Sequence, residues 1–289
     1  MAIQKKEADS EPLAIEVENL VMQFGDFRAV DDLSFSMRKN EAVGIIGPNG
    51  AGKTTFISLL SGQFPPTSRT IKIFGRDETG VSAQGRVEQG LLRSFQLVQV
   101  FDNLTVQENL ALAYYRKLHG RRSLLSGFFT TLSDRAVRER VDEIRKVFGF
   151  TDMGKLEVSS LSLGNKKKLE IAMIYINDPE LMILDEPFAG LSEQEIDMIL
   201  SVLREWVHKK TLLIVEHKLS MLTRIVDELA VMHEGRFIAY GPCEETLNDP
   251  EVRRSYWKIA EPGPPAGLAS AGAASTVRAS PPEHGGTGS

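Results

Sequence analysis

A single cysteine, Cys243, stands in the whole chain. One thiol cannot close an internal disulfide, so a cross-linked secreted scaffold is excluded, and the count fits a reducing compartment. Long apolar runs are missing as well. No stretch approaches the roughly 20 residues that a membrane-spanning helix needs, so any membrane role has to come through a partner. The opening residues, Met1-Ala2-Ile3-Gln4-Lys5-Lys6-Glu7, lack the apolar centre of a secretory signal. Positive charge is not in excess. The net charge is -5, which supplies no electropositive face for nucleic acid. Internal repeats are absent too. What remains is an ordinary globular composition over 289 residues, enough for one large domain or two small ones.

The densest signal is Gly47-Pro48-Asn49-Gly50-Ala51-Gly52-Lys53-Thr54-Thr55, which fits G-x-x-x-x-G-K-[ST]. Its context carries more than its letters. Ala42-Val43-Gly44-Ile45-Ile46 before it is short and apolar, like a buried parallel strand. Lys53 to Ser61 after it has a helical pattern, closed by Gly62. Strand, glycine loop and helix turn backbone N–H groups onto a phosphate chain at a helix N-terminus. Lys53 is then expected at the β- and γ-phosphates, and the Thr54 hydroxyl on Mg²⁺.

Around this loop the chain reads as alternating strands and helices. Residues 1–12 form a polar, loose arm. Ile15 and Val17 alternate with Glu16 and Glu18, and Leu33, Phe35 and Met37 alternate again. Between them Phe24-Gly25-Asp26-Phe27 reads as a turn. Phe24 is either a stacking platform for a purine or a buried core residue. Ile71 and Ile73 mark a short strand, while residues 76–90 are polar and carry little pattern. Thr105-Val106-Gln107-Glu108 is a capping box that starts a helix near Val106. A basic run with Arg116, Lys117, Arg121 and Arg122 precedes Leu124, Leu125, Phe128 and Phe129. It is either a partner or lipid contact, or a solvated loop. Val137, Val141, Ile144, Val147 and Phe148 step at helical spacing and read as core packing.

Two further places carry chemistry. Leu181-Met182-Ile183-Leu184 reads as a buried strand that ends in Asp185-Glu186. Adjacent carboxylates at the carboxyl end of a central strand are costly without a cation or substrate nearby. Leu212 to Val215 reads as another buried strand, followed by Glu216-His217. Ser162 caps the helix that bears Lys166, Lys167 and Lys168. Ser192-Glu193-Gln194-Glu195 is a second capping box, followed by a stripe of Ile196, Ile199, Leu200, Leu203 and Val207. Residues 229–240 suggest a hairpin, and Pro250 opens a last helix. From Glu261 to Ser289 the composition turns to Pro, Gly, Ala, Ser and Thr, which is expected to be disordered.

The motifs together, in their order along residues 13–260, resemble the ATP-binding subunit of ABC transporters. Gly47 to Thr55 resembles the phosphate loop, Gln96 the Q-loop glutamine, and Leu161 to Asn165 the signature sequence. Leu181 to Glu186 resembles Walker B, Ala189-Gly190-Leu191-Ser192 the D-loop, His217 the switch histidine, and Phe24 the A-loop aromatic. The resemblance implies an α/β fold: a P-loop NTPase parallel-sheet core, an antiparallel β portion and a helical subdomain at about 97–160. It implies ATP and Mg²⁺ as ligands. Asp185 would hold the metal through water, Glu186 would act as base or orient water, and Gln96 would touch the metal or the attacking water. His217 would sense the γ-phosphate. It implies a dimer, with Ser162 and Gly164 of one subunit meeting the nucleotide on the other, and it implies a membrane permease fed by a solute-binding protein.

This chain departs from the usual family pattern at three positions. Leu163 and Asn165 interrupt the commonest signature, and Ser192 stands where Asp is usual. Within the family the chain is most similar to the ATPases of branched-chain amino acid importers. That similarity lies in Gly44 to Thr55, Arg93-Ser94-Phe95-Gln96, the insert Gly120 to Leu125, and Asn248 to Val252. The ATPase of the lipopolysaccharide exporter is similar in several of these places, and the insert at 120–129 favours an importer. Urea-type importers, a soluble ABC protein and a non-hydrolysing regulatory subunit are the other readings. The implied place is the cytoplasmic face of the membrane.

Overall fold

The computed structural model describes residues 12–119, 134–217 and 219–255. The arm before residue 12, the 120–129 insert and the 261–289 tail lie outside these residues. The chain begins with a long antiparallel hairpin of β1 (Leu13–Phe24) and β2 (Phe27–Arg38). Gly25, at φ +58, makes its turn as Phe24-Gly25-Asp26-Phe27 predicts. With β4 (Ile71–Ile73) and β5 (Arg76–Asp77) they form a sheet in the order β2-β1-β4-β5.

The second sheet holds the strands expected to be buried. Its order is β10-β9-β3-β8-β7-β6, from β3 (Ala42–Ile46), β6 (Leu91–Arg93), β7 (Leu181–Asp185), β8 (Thr211–Val215), β9 (Glu228–His233) and β10 (Arg236–Pro242). The β9-β3-β8-β7-β6 pairings are parallel, and β10 closes the edge antiparallel to β9. Successive side chains on a strand face opposite ways, so each strand feeds two cores. Val43, Ile45, Ile183 and Leu213 pack with the first sheet and the helix after the phosphate loop, α1 (Lys53–Leu60). Ala42, Ile46, Met182, Leu184 and Ile214 pack with helices on the other face.

Those helices are α3 (Val106–His119), α4 (Arg135–Val147), α5 (Leu163–Tyr175) and α6 (Glu193–Arg204), which follow a short α2 (Ala83–Glu88). The heads of α3, α5 and α6 are capped as their sequences predict. Thr105 and Glu108 exchange hydrogen bonds at the head of α3. Ser162 Oγ accepts from Asn165 N at 3.2 Å, and Ser192 with Glu195 completes a capping box. The chain closes with α7 (Leu219–Leu222), α8 (Cys243–Asn248) and α9 (Pro250–Ser255).

Three packing expectations need correction. Val147 is exposed, because α4 ends there and Phe148 takes the core position before Gly149 reverses the chain at φ +66. Val207 lies beyond the end of α6 and packs only partly against the core, while Trp206 beside it is buried, stacked on Tyr175 with centroids 4.4 Å apart. The stretch 76–90, which shows little pattern, forms β5 and α2 and leads into β6. Its anchor is polar: buried Arg86 donates to the carbonyls of Leu59 and Leu60 at 2.6 Å each and to that of Glu78. A guanidinium that satisfies the orphan carbonyls at the end of α1 leaves no hydrophobic periodicity to read.

Candidate active site at the phosphate loop

The loop between β3 and α1 is built so that only glycine fits at its two ends. A Cβ on Gly47 would lie 2.2 Å from the Met232 carbonyl oxygen, and one on Gly52 would lie 2.3 Å from that of Ala29. Gly52 also sits at φ +102, open to glycine and strained for other residues. Asn49 and Gly50 are exposed, Pro48 is half-buried, and Ala51 is buried. Ala51 accepts a hydrogen bond from Gly235 N at 2.9 Å, which ties the loop to the β9–β10 turn. Lys53 folds back across the loop, and its Nζ donates to Gly47 O at 2.8 Å and Pro48 O at 3.0 Å. Burial pulls the Lys53 ammonium below the ordinary lysine range, while Glu186 and Asp185 pull it back up. Thr54 is exposed at the first turn of α1, with Thr55 half-buried beside it.

Parallel pairing of β7 with β8 brings the acids to the same end of the sheet, with Asp185 in register with Val215. Asp185 is only 1% exposed. Its N–H donates to Ser94 Oγ at 2.9 Å, and its Oδ2 accepts from Arg93 Nη2 at 3.1 Å. Burial pushes the Asp185 carboxyl above the usual range, and Arg93 opposes that push. Arg93 also donates to Ser58 Oγ at 2.9 Å and Ser61 Oγ at 3.1 Å, so it joins β6, α1 and β7. Sequence reasoning assigns Arg93 no chemical role. The available signal is a lone arginine at the end of a strand that neighbours the acidic one.

Glu186 holds φ +47, a conformation that costs a non-glycine residue about 1–3 kcal/mol. Its N–H donates to Val215 O at 2.9 Å, which fixes the turn. Its Oε1 lies 3.1 Å from His217 Nε2. A second carboxylate, Glu216, is buried between the two loops. It accepts from Phe188 N at 3.0 Å through one oxygen and from His217 N at 2.9 Å through the other. Glu216 thereby locks the backbone of His217 to the turn after β7.

The remaining residues stand apart from this cluster. Phe24 is 50% exposed and meets Phe64 edge-on with centroids 6.0 Å apart, so its reading as a core residue is excluded. Gln96 is exposed on the loop after β6. Ser162 is exposed at the head of α5, and Gly164 is buried there. A Cβ on Gly164 would lie 3.0 Å from Glu195 Oε2. Among the described residues, neither Ser162 nor Gly164 hydrogen-bonds to the phosphate loop.

No group of three or more His, Cys, Asp or Glu converges to hold a metal among the described residues. Mg²⁺ in nucleotide sites is usually held by one or two carboxylates together with substrate phosphates. A buried Asp185 at the end of β7 and an exposed Thr54 hydroxyl at the head of α1 therefore fit a metal that arrives with a nucleotide.

Residues 30–189 match a protein-family model described as ABC transporter. The chain belongs to the ABC transporter family. It is 37% identical over 254 residues to the high-affinity branched-chain amino acid transport ATP-binding protein LivG of Salmonella typhimurium, covering 86% of this chain and 98% of that one. It is 32% identical over 248 residues to the corresponding protein BraF of Pseudomonas aeruginosa, with 84% and 96% covered. Its fold matches the crystal structure of a nucleotide-free ATP-binding cassette from an ABC transporter at a TM-score of 0.73 and 29% identity. That match covers 86% of this chain and all of that one. The ABC cassette is an ATP-binding P-loop NTPase, and its activity is ATP hydrolysis.

Proposed function

We propose that this ABC subunit hydrolyses ATP to drive import of an amino acid, most specifically a branched-chain one, through a membrane permease. The observation that carries the reading is the near end-to-end similarity to LivG and BraF, which leaves under a twentieth of either protein unmatched. The phosphate loop, residues 47–55, receives the nucleotide phosphates, and Lys53 exchanges its loop carbonyls for phosphate oxygens. Phe24 offers its exposed ring to the adenine. Asp185, Thr54 and Gln96 are the residues that would hold Mg²⁺, which neutralises phosphate charge when bound. Water adds to the γ-phosphorus as the bond to the β-phosphate oxygen breaks, giving ADP and phosphate. Glu186 orients that water and takes its proton. His217, already within hydrogen-bond distance of Glu186, holds the carboxylate and faces the γ-phosphate.

The site is completed in a dimer. Ser162 and the Gly164 N–H of the second cassette approach the nucleotide at the head of α5, a helix N-terminus suited to an anion. The partners are that second cassette, the permease and, through it, a solute-binding protein. The subunit sits at the cytoplasmic face of the membrane. Among the described residues no helix is long and apolar enough to cross a membrane.

The test is uptake of labelled leucine, isoleucine and valine by cells that lack this chain. Wild-type chain restores uptake and Glu186→Gln does not. Unchanged uptake of all three in the deletion strain, with ATPase activity intact in the purified complex, overturns the substrate assignment.

A further inference from the structure

The loop that carries Gln96 is held by one buried ion pair on α5. Lys167 and Glu170 lie one turn apart with Nζ and Oε2 separated by 3.0 Å, and their side chains are 2% and 5% exposed. From that turn they reach the backbone of the loop. The Phe95 N–H donates to Glu170 Oε1 at 3.1 Å, and the Phe95 carbonyl accepts from Lys167 Nζ at 2.7 Å. The Gln99 N–H donates to the same Glu170 oxygen at 3.2 Å. One carboxylate oxygen therefore receives both ends of the segment 95–99. Gln96 and Leu97 project from it as exposed residues. Lys167 also reaches the Asp185 carbonyl at 3.3 Å, at the end of β7.

A buried pair of this kind is weak evidence for a stabilising role. Well-packed apolar residues in its place are often neutral or stabilising. What apolar residues cannot do is hold three backbone groups of a non-repetitive loop in one geometry. The pair lies on the helix that starts at Ser162 and Gly164. A shift of α5 therefore pulls directly on the backbone at both sides of Gln96.

We propose that Lys167 and Glu170 are positioning residues for Gln96, a clamp that makes the Gln96 loop move with the head of α5. This rests on the reading of Gln96 given above. In a dimer, the clamp would transmit engagement of Ser162 and Gly164 at one nucleotide to Gln96 at the other.

The clamp and the role of Gln96 are tested separately. For the clamp, spin labels are placed at Leu97→Cys and Leu163→Cys in a Cys243→Ser full-length chain, both label sites being exposed. Their distance distribution is compared with and without Lys167→Met/Glu170→Leu. This double variant removes both charges together, so it avoids the lone buried charge that Glu170→Ala would leave. The expected result is a narrow distribution in the parent and a broad one in the double variant, with the melting temperature retained. An unchanged distribution overturns the clamp.

For catalysis, a double-mutant cycle combines Lys167→Met/Glu170→Leu with Gln96→Ala in the assembled transporter. The clamp variant is expected to lower kcat about ten- to a hundredfold, with KM for ATP nearly unchanged. It should cause no further loss once Gln96 is gone. Losses that multiply show that the pair does not act through Gln96 and overturn that part of the proposal. A fully active Gln96→Ala enzyme with a broadened label distance overturns the role of Gln96 and leaves the clamp standing.

Discussion

His217 Nε2 lies 3.1 Å from Glu186 Oε1, across the gap between the loops that leave β7 and β8. The contact follows from strand register, because Asp185 pairs with Val215 and the next residues of both strands emerge together. Glu216 tightens it from behind by accepting from the backbone of Phe188 and of His217. Glu186, at φ +47, thus meets an imidazole whose own backbone Glu216 fixes.

Glu186→Gln keeps the shape and loses the base. It is expected to bind ATP, to lose about 10²–10⁴ in kcat, and to accumulate as an ATP-bound dimer in gel filtration. Normal turnover with only monomer present would remove Glu186 from the chemistry.

Lys53→Ala should abolish tight ATP binding, measured by calorimetry, while the fold persists. Burial lowers the Lys53 ammonium from 10.5, so the folded state penalises the charged form. That penalty is complete below the lowered value and fades as pH climbs through it. The melting temperature of wild type should therefore gain on that of Lys53→Ala as pH rises toward 10.5. A gap that moves the other way contradicts the buried ammonium.

Gly52→Ala places a methyl group 2.3 Å from the Ala29 carbonyl at a φ of +102. The backbone conformation alone costs about 1–3 kcal/mol, and the clash adds to it. A lowered melting temperature and lost nucleotide binding are expected together. Gly50→Ala meets no atom within 4 Å, although its φ of +81 still carries strain, so its stability loss should be the smaller of the two.

Phe101 is 51% exposed, and Asn109 pins its backbone from both sides, donating to Phe101 O at 3.0 Å and accepting from Phe101 N at 2.9 Å. Its exposed ring is expected to act as an apolar anchor for a short helix of the proposed permease. Phe101→Asp should leave the isolated subunit folded and ATP-competent, and it should prevent assembly with the permease. Normal assembly and uptake would sink the anchor. Val100 packs partly against the core, so Val100→Asp is expected to lower stability as well.

Where apolar periodicity and capping chemistry set the structure, the sequence was readable. β3, β7 and β8 were visible as short apolar runs, and the heads of α3, α5 and α6 were visible in their hydroxyl caps. The segment from Arg76 to Arg93 was not, because its order comes from two arginines. Arg86 satisfies the end of α1, and Arg93 joins α1 to Asp185. Contacts between side chains and distant backbone leave no periodic trace. The same holds for Glu216 with Phe188 and for Lys167 and Glu170 with the 95–99 loop, contacts that span tens of residues. The Glu186–His217 contact was not legible either: the family resemblance gives each residue a role, and the parallel pairing of β7 with β8 brings them together.

β3 lies between β8 and β9, and neither neighbour follows it closely. Ala42 pairs with Leu212, and Val43 pairs with Glu228. At about 5–20 residues per second, the ribosome needs on the order of ten seconds or more to make the first of those partners. Until then the nascent chain carries Ala42-Val43-Gly44-Ile45-Ile46 as an unpaired apolar strand without charge or proline, a composition that invites intermolecular pairing. The segment that leads into the phosphate loop is made long before its partners and is satisfied late, which makes it a natural client for a chaperone during synthesis.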